Sequence, residues 1–215
     1  NVTQPDVEAV KTGFANLGRH IANMRKFGVP VVVCVNQFTT DSAEEIETVV
    51  RLSKEAGADD CVPSNHFSEG GKGAVAIAEA IVRVCQDKSK MNFKPLYDIN
   101  ISIKEKIETI AKEIYGAAGV EYAEAAEKEI QKLDKLPEKY SICFAKTQYS
   151  FSHDEKLKGA PSGFILPIKS IRLYSGAGLL VPFCGDISAL PGLPTRPAYL
   201  LIDIDPETEE VKGLF

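Results

Sequence analysis

The run Val31-Val32-Val33-Cys34-Val35 is continuous, short and β-branched, and it sits between two stretches of helical periodicity. Unbroken apolar character, rather than alternation, is what a parallel strand covered on both faces requires. It predicts a central strand of an α/β sheet, and the flanking segments agree. Upstream, Val7, Val10, Phe14, Leu17, Ile21 and Met24 recur at alternating spacings of three and four, which places them on one helical face. Asp6 caps that helix, and Gly28 with Pro30 ends it. Downstream, Asp41 and Ser42, each with a glutamate three residues on, open a second helix through Ile46, Val49, Val50 and Leu52, which Gly57 closes. A short strand around Cys61 and Val62, a glycine-rich turn, and a third helix from Ala74 to Val84 with Ile77, Ile81 and Val84 inward complete an alternating order. Such alternation implies right-handed crossovers on a mostly parallel sheet, whose ligands gather beyond the carboxyl ends of the strands.

The polar stretch Gln86 to Lys90 divides this part, residues 1–90, from a unit of different character at 91–215. There Ser102 with Glu105 caps a helix carrying Ile103, Ile107, Ile110 and Ile114 that Gly116 ends, and an alanine-rich helix spans about Glu121 to Leu133. Strand-like segments follow at Ser141 to Ala145, Phe164 to Leu173, Leu179 to Phe183 and Tyr199 to Ile204. The expected architecture is therefore part of a doubly wound sheet followed by a smaller α+β domain.

Several function classes drop out on composition. A net charge of -5 with the two signs interspersed gives no basic stripe to neutralise a phosphate backbone, so no nucleic-acid partner is expected. The longest apolar run falls far short of the roughly 20 residues that cross a bilayer, so no membrane partner is expected either. The five cysteines are odd in number, widely spaced and without a C-x-x-C pair, which indicates a reducing compartment and core packing for Cys34 and Cys61. Neither the cysteines nor the three histidines cluster, so no metal site is assigned. The opening Asn1 to Asp6 has neither basic start nor apolar segment, hence no signal peptide, and it runs into a helix as if cut from a longer chain.

Two candidate ligand regions follow strands. Asn36-Gln37-Phe38-Thr39-Thr40-Asp41 stands directly after the central strand, where Asn36 offers both a donor and an acceptor and Phe38 a stacking surface. Alternatively, Asn36 satisfies loop backbone, Phe38 packs under a helix and Asp41 only caps. Phe67, after the second strand, either faces Phe38 across one cleft or belongs to the core. Ala145 to Ser152 is polar and aromatic after another strand, and Pro191 to Pro197 is a rigid turn with one cation; either can bind an anion, or the proline-rich stretch is structural. Lys146 shows no carboxylate partner in sequence. Phosphate-loop chemistry needs G-x-x-x-x-G-K-[ST], and nothing fits; Glu69-Gly70-Gly71-Lys72-Gly73-Ala74 comes nearest, as an anion contact or a flexible helix entry. The dinucleotide pattern G-x-G-x-x-G is also absent.

Taken together, Gly13 to Leu17, Lys26 to Val33, Val35 to Phe38 with Thr40-Asp41, Glu69 to Ala74, Lys104 to Ile107 with Ile114 to Ala117, Ala145 to Ser150, Leu190 to Pro197, and the ending Ile202 to Asp205 through Gly213 to Phe215 resemble formate-tetrahydrofolate ligase, end to end. The resemblance is to the C-terminal portion of that family, including its version fused into eukaryotic trifunctional synthases. It implies a P-loop NTPase-like fold lacking its phosphate loop in these residues. It also implies an ATP-dependent ligation in which formate becomes formyl phosphate and tetrahydrofolate attacks it to give 10-formyltetrahydrofolate, with Mg2+ and a monovalent cation assisting. In the family an aromatic pair sandwiches the folate ring. The matching positions here are Phe38 and Phe67, and the substrate site implied is Asn36, Phe38, Thr39, Asp41 and Phe67. The implied partners are the N-terminal part of the same enzyme and further copies in a homo-oligomer, in the cytoplasm or alternatively in mitochondria; without that N-terminal part, ATP turnover by these residues alone is not expected.

Overall fold

The computed structural model describes residues 4–187, 195–208 and 210–213. The segment Leu190 to Pro194, most of the proline-rich turn, and the last two residues, Leu214 and Phe215, lie outside the described residues.

Helix α1 (Val7–Arg25) starts where Asp6 accepts the Ala9 amide and ends before Gly28, whose φ of 68° no β-carbon tolerates well. Strand β1 (Val32–Asn36) then pairs in parallel with β2 (Asp60–Ser64) across helix α2 (Ala43–Glu55). Beyond β2 come a single helical turn, α3 (His66–Glu69), a 3-10 turn over Gly70–Ala74, and helix α4 (Val75–Gln86). Ile21, Val33, Ala58 and Cys61 form the buried cluster of this part, with Phe14, Leu17, Val35 and Val49 packed around it.

The second part begins with α5 (Ile103–Ile110), which widens into a π-turn over Ala111–Tyr115 and is stopped by left-handed Gly116. Strand β3 (Gly119–Tyr122) and helix α6 (Glu124–Leu133) follow, then β4 (Ser141–Ile142), β5 (Ile165–Ile168), β6 (Ser170–Tyr174) and β7 (Leu179–Phe183). β3 pairs with β5 in parallel, while β7 lies between β4, parallel, and β6, antiparallel. The stretch expected as one strand from Phe164 to Leu173 is thus broken at Lys169, where the chain leaves β3 and takes up β7 as its neighbour. Ile103, Ile107, Ile130, Leu166, Ile168, Ile171 and Leu180 make a second, larger core here. Near the end, β8 (Asp203–Ile204) and β9 (Val211–Lys212) form a short antiparallel ladder.

The architecture is mixed α/β with small, partly parallel sheets, and several local expectations change. β1 has one strand neighbour among the described residues rather than two, and Cys34, on the face opposite Val33, is exposed while Cys61 is buried. On α4 the expected inward face is only partly covered: Ile81 is exposed, and Ala80 is the buried position. Two strands spaced about 4.8 Å apart are narrower than a helix roughly 10 Å across, so the apolar stripe overhangs its support. Met24 is exposed too, because the last turns of α1 bury Asn23 instead, whose amide donates to the Ile114 carbonyl at 2.9 Å. Glu121 lies in β3, so the alanine-rich helix starts at Glu124; and Tyr199 belongs to a 3-10 turn, Ala198–Leu200, ahead of the two residues of β8. Among the described residues no helix is long and apolar enough to cross a membrane.

Candidate functional site

Parallel strands deliver their following loops to one edge, and here the two ends are level. Asn36 stands opposite Ser64, and the Gln37 amide donates to the Ser64 carbonyl at 3.1 Å, carrying the pairing one residue past β1. From that shared edge the chain makes two different turns, each presenting a phenylalanine.

After β1 the loop is closed by Asp41. The Phe38 amide donates to the Asp41 carboxylate at 2.8 Å, and the Asp41 amide donates back to the Phe38 carbonyl at 3.1 Å. Thr39 and Thr40 form the exposed tip of this four-residue turn. A carboxylate accepting a backbone amide makes a stronger bond than a neutral acceptor, so the turn is held tightly. Asp41 therefore does not cap α2. Ser42 does, in a reciprocal capping box with Glu45. The Glu45 carboxylate also accepts the Asp6 amide, which ties the start of α1 to the start of α2. The Asp6 amide, followed by the Ser42 groups, holds the Glu45 carboxyl below its usual range.

After β2 the turn is tighter. The Ser64 hydroxyl, on a residue only 2% exposed, bonds His66 Nδ1 at 3.0 Å and donates to the Gly73 carbonyl at 3.2 Å. The Asn65 amide donates to the same carbonyl. The glycine-rich stretch thus clasps the end of β2, and a β-carbon on Gly73 would stand 2.4 Å from the Asn65 carbonyl oxygen. Lys72 is exposed. This clasp was missed in the sequence; Ser64 ahead of a dense run of glycines is the only signal there that could have found it.

The result is an edge with two large aromatic side chains open to solvent, Phe38 at 64% and Phe67 at 88% of full exposure, beside the exposed Asn36. Neither ring packs under a helix or joins the core. Each ring is a flat apolar surface open to solvent at the end of its strand. No three His, Cys, Asp or Glu side chains converge among the described residues.

Lys146, the other cation the sequence singled out, sits away from this edge. It lines a separate cleft of about 590 Å3 between α1 and the segment following β4, and none of the residues 36–41 or 67 contributes to it. Burial pulls the Lys146 ammonium below its ordinary range.

Comparison with known proteins is consistent along the whole chain. The chain is 49% identical to mouse cytoplasmic C-1-tetrahydrofolate synthase, covering 99% of this chain and 23% of that protein. It is 48% identical to formate–tetrahydrofolate ligase of Arabidopsis thaliana, covering 97% of this chain and 33% of that protein. With the mitochondrial C-1-tetrahydrofolate synthase of Schizosaccharomyces pombe the identity is 44%. The chain spans between about a quarter and a third of the length of these relatives. The family model described as formate–tetrahydrofolate ligase matches residues 1–215, and the chain belongs to that family.

Proposed function

We propose that this chain supplies the folate-ring side of an ATP-dependent ligation of formate to tetrahydrofolate. In that reaction formate attacks the terminal phosphorus of ATP, giving formyl phosphate and ADP. A tetrahydrofolate nitrogen then attacks the formyl carbon, phosphate leaves, and 10-formyltetrahydrofolate results. The chain's own contribution is positional: Phe38 and Phe67 take the two faces of the pterin, Asn36 donates to and accepts from its edge, and the Thr39 tip held by Asp41 sets the height of the Phe38 ring. Sandwiching a flat heterocycle restricts it to one plane, and orientation of that kind accounts for much of the rate gained when two reactants are held together.

The reading rests on family membership for the reaction and, for the site, on one observation: two exposed aromatic rings at the level carboxyl ends of neighbouring parallel strands. The fold to which β1 and β2 belong is then a doubly wound, P-loop NTPase-like sheet. The remaining strands, the phosphate loop for ATP and the ligands for Mg2+ and the monovalent cation come from the N-terminal part of the same enzyme, in a homo-oligomeric assembly. The exposed Cys34, Val75, Ile81 and Val82 are the apolar surface that this part covers. A cytoplasmic location follows the name of the mouse relative, and a mitochondrial one that of the fission-yeast relative.

Phe38→Ala tests the site. Loss of one stacking face weakens tetrahydrofolate binding by about 1 to 3 kcal/mol, by analogy with aromatic-base stacking. Unchanged affinity in a fluorescence titration removes Phe38 from the site. A second reading, a noncatalytic folate-binding or subunit-contact module, draws on the absence of a G-x-x-x-x-G-K-[ST] stretch from the sequence. It predicts folate binding by this chain and no 10-formyltetrahydrofolate formed from ATP and formate even when the N-terminal part of the enzyme is supplied, where the first reading predicts product.

A further inference from the structure

The cleft at Lys146 is chemically unlike the Phe38 edge. One wall is α1, through Asn16 and His20; the other is the loop after the bridge at Ala145, folded back so that Phe151 meets His20 at 4.7 Å between ring centres. The Asn16 amide donates to the Gly159 carbonyl at 2.9 Å, closing the far end. The loop is set from within: the Ser150 hydroxyl donates to the Leu157 carbonyl and bonds the Ser152 hydroxyl, and Phe151 and Ser152 are buried. This is a formed cavity of ligand size rather than a loop lying on a helix.

Its charge is one-sided. Lys146 and Lys158 both line it, and no aspartate or glutamate among the described residues does. Among the described residues neither lysine makes an ion pair. The Lys146 ammonium donates to the Thr147 and Ser150 carbonyls and lies 5.0 Å from the centre of the Tyr115 ring. An ammonium has three hydrogens, so two carbonyls leave one unspent, and they leave the positive charge uncompensated in a half-buried place. At the mouth, the Lys158 ammonium sits 5.2 Å from the centre of the Tyr149 ring, which is 59% exposed. The cavity thus combines an interior cation, a second cation at the rim, and a flat ring facing solvent.

We propose that this cleft binds an acid group carried on a flat ring, the carboxylate or phosphate meeting the ammonium of Lys146 and the ring lying against Tyr149. The proposal does not depend on the folate reading of the Phe38 edge, because the two sites share no residue. An anion placed there takes the third hydrogen of Lys146, supplies the missing counter-charge, and draws Lys158 inward from the rim.

The test is calorimetric titration of the 215-residue chain with four probes: benzoate, phenyl phosphate, inorganic phosphate and neutral benzyl alcohol. The expected result is binding of benzoate or phenyl phosphate, at least tenfold weaker binding of inorganic phosphate, and none of benzyl alcohol. Benzoate against phenyl phosphate tells which acid the cleft prefers. Lys146→Met weakens the bound probe by tenfold or more, Lys158→Ala and Tyr149→Ala by several-fold, and Lys88→Ala, an exposed lysine outside the cleft, leaves it unchanged. The last three alter exposed side chains, so they decide the matter even if Lys146→Met lowers the melting temperature too far to titrate. No binding of either aromatic acid, or binding untouched by Lys158→Ala and Tyr149→Ala together, overturns the proposal. Equal affinity for inorganic phosphate and phenyl phosphate overturns the ring-binding half of it.

Discussion

Gly73 shows how a single atom positions a side chain six residues earlier. Its carbonyl accepts from both the Asn65 amide and the Ser64 hydroxyl, and that closeness is possible only without a β-carbon. Gly73→Ala forces a contact of 2.4 Å against the Asn65 carbonyl, so α3 shifts and carries Phe67 with it. The expected cost is about 1 to 3 kcal/mol of stability, as for other overpacked sites, read as a lower urea midpoint, and folate affinity falls with it. A variant as stable as the parent contradicts the clasp. Asp41 plays the corresponding part for Phe38, but through charge. Asp41→Ala leaves the exposed Phe38 amide to water and costs no more than about 1 kcal/mol, while Asp41→Asn, which keeps an acceptor, costs less. In the sequence Asp41 read as a helix cap, because a short acidic residue just before a helix has two possible amides to satisfy, and spacing alone does not say which.

Among the secondary-structure elements, the helix starts carry the most legible chemistry. Both capping boxes, Ser42 with Glu45 and Ser102 with Glu105, stand where the serine-to-glutamate spacing placed them, and Gly57 and Gly116 end their helices in backbone conformations with positive φ. Ser42→Ala costs about 1 kcal/mol, the usual loss for a cap. Glu45 and Glu105 are both held below the ordinary carboxylate range, Glu45 chiefly by the Asp6 amide and Glu105 chiefly by the Ser102 hydroxyl. A depressed folded-state pKa gives stability that is present above the unfolded-state value and is lost as pH falls through the folded one. Acidification below about pH 4.5, the ordinary glutamate range, therefore destabilises the parent more than Glu45→Gln, measured as the change in melting temperature between pH 6 and pH 3.5. Equal shifts contradict the assignment. What the periodicity did not reveal was edge against centre. The Val31 to Val35 run has the composition of a strand covered on both sides, and composition does not report how many neighbours are at hand; nor does it reveal that Glu121, with good helix propensity, is drawn into β3 by pairing with β5.

For the whole molecule, α1 connects the two cores. Asn23 donates to the Ile114 carbonyl, Lys26 pairs with Glu113 at 2.8 Å, and Asn16 reaches Gly159, so one helix face serves the first core while its flank holds the second part. Asn23→Ala leaves the half-buried Ile114 carbonyl without its donor, an effect partly offset by loss of the buried, unpartnered Asn23 Oδ1, and costs roughly 1 to 2 kcal/mol, whereas Lys26→Ala, breaking a pair exposed to water, costs no more than about 1 kcal/mol. The order of those two effects, by urea denaturation, checks whether the seam is held by buried polarity or by surface charge. The α/β alternation was legible because it rests on local pattern; the exposure of Phe67 was not, since spacing left core packing open for it, nor was the second cleft, because Asn16 and Lys146 meet only after the chain has folded. A pterin held between two rings at the β1–β2 edge leaves a direct signature in isotope-filtered nuclear Overhauser measurement on the chain saturated with tetrahydrofolate. The prediction is cross-peaks from pterin protons to the ring protons of both Phe38 and Phe67. Saturated binding with cross-peaks to neither ring would contradict it.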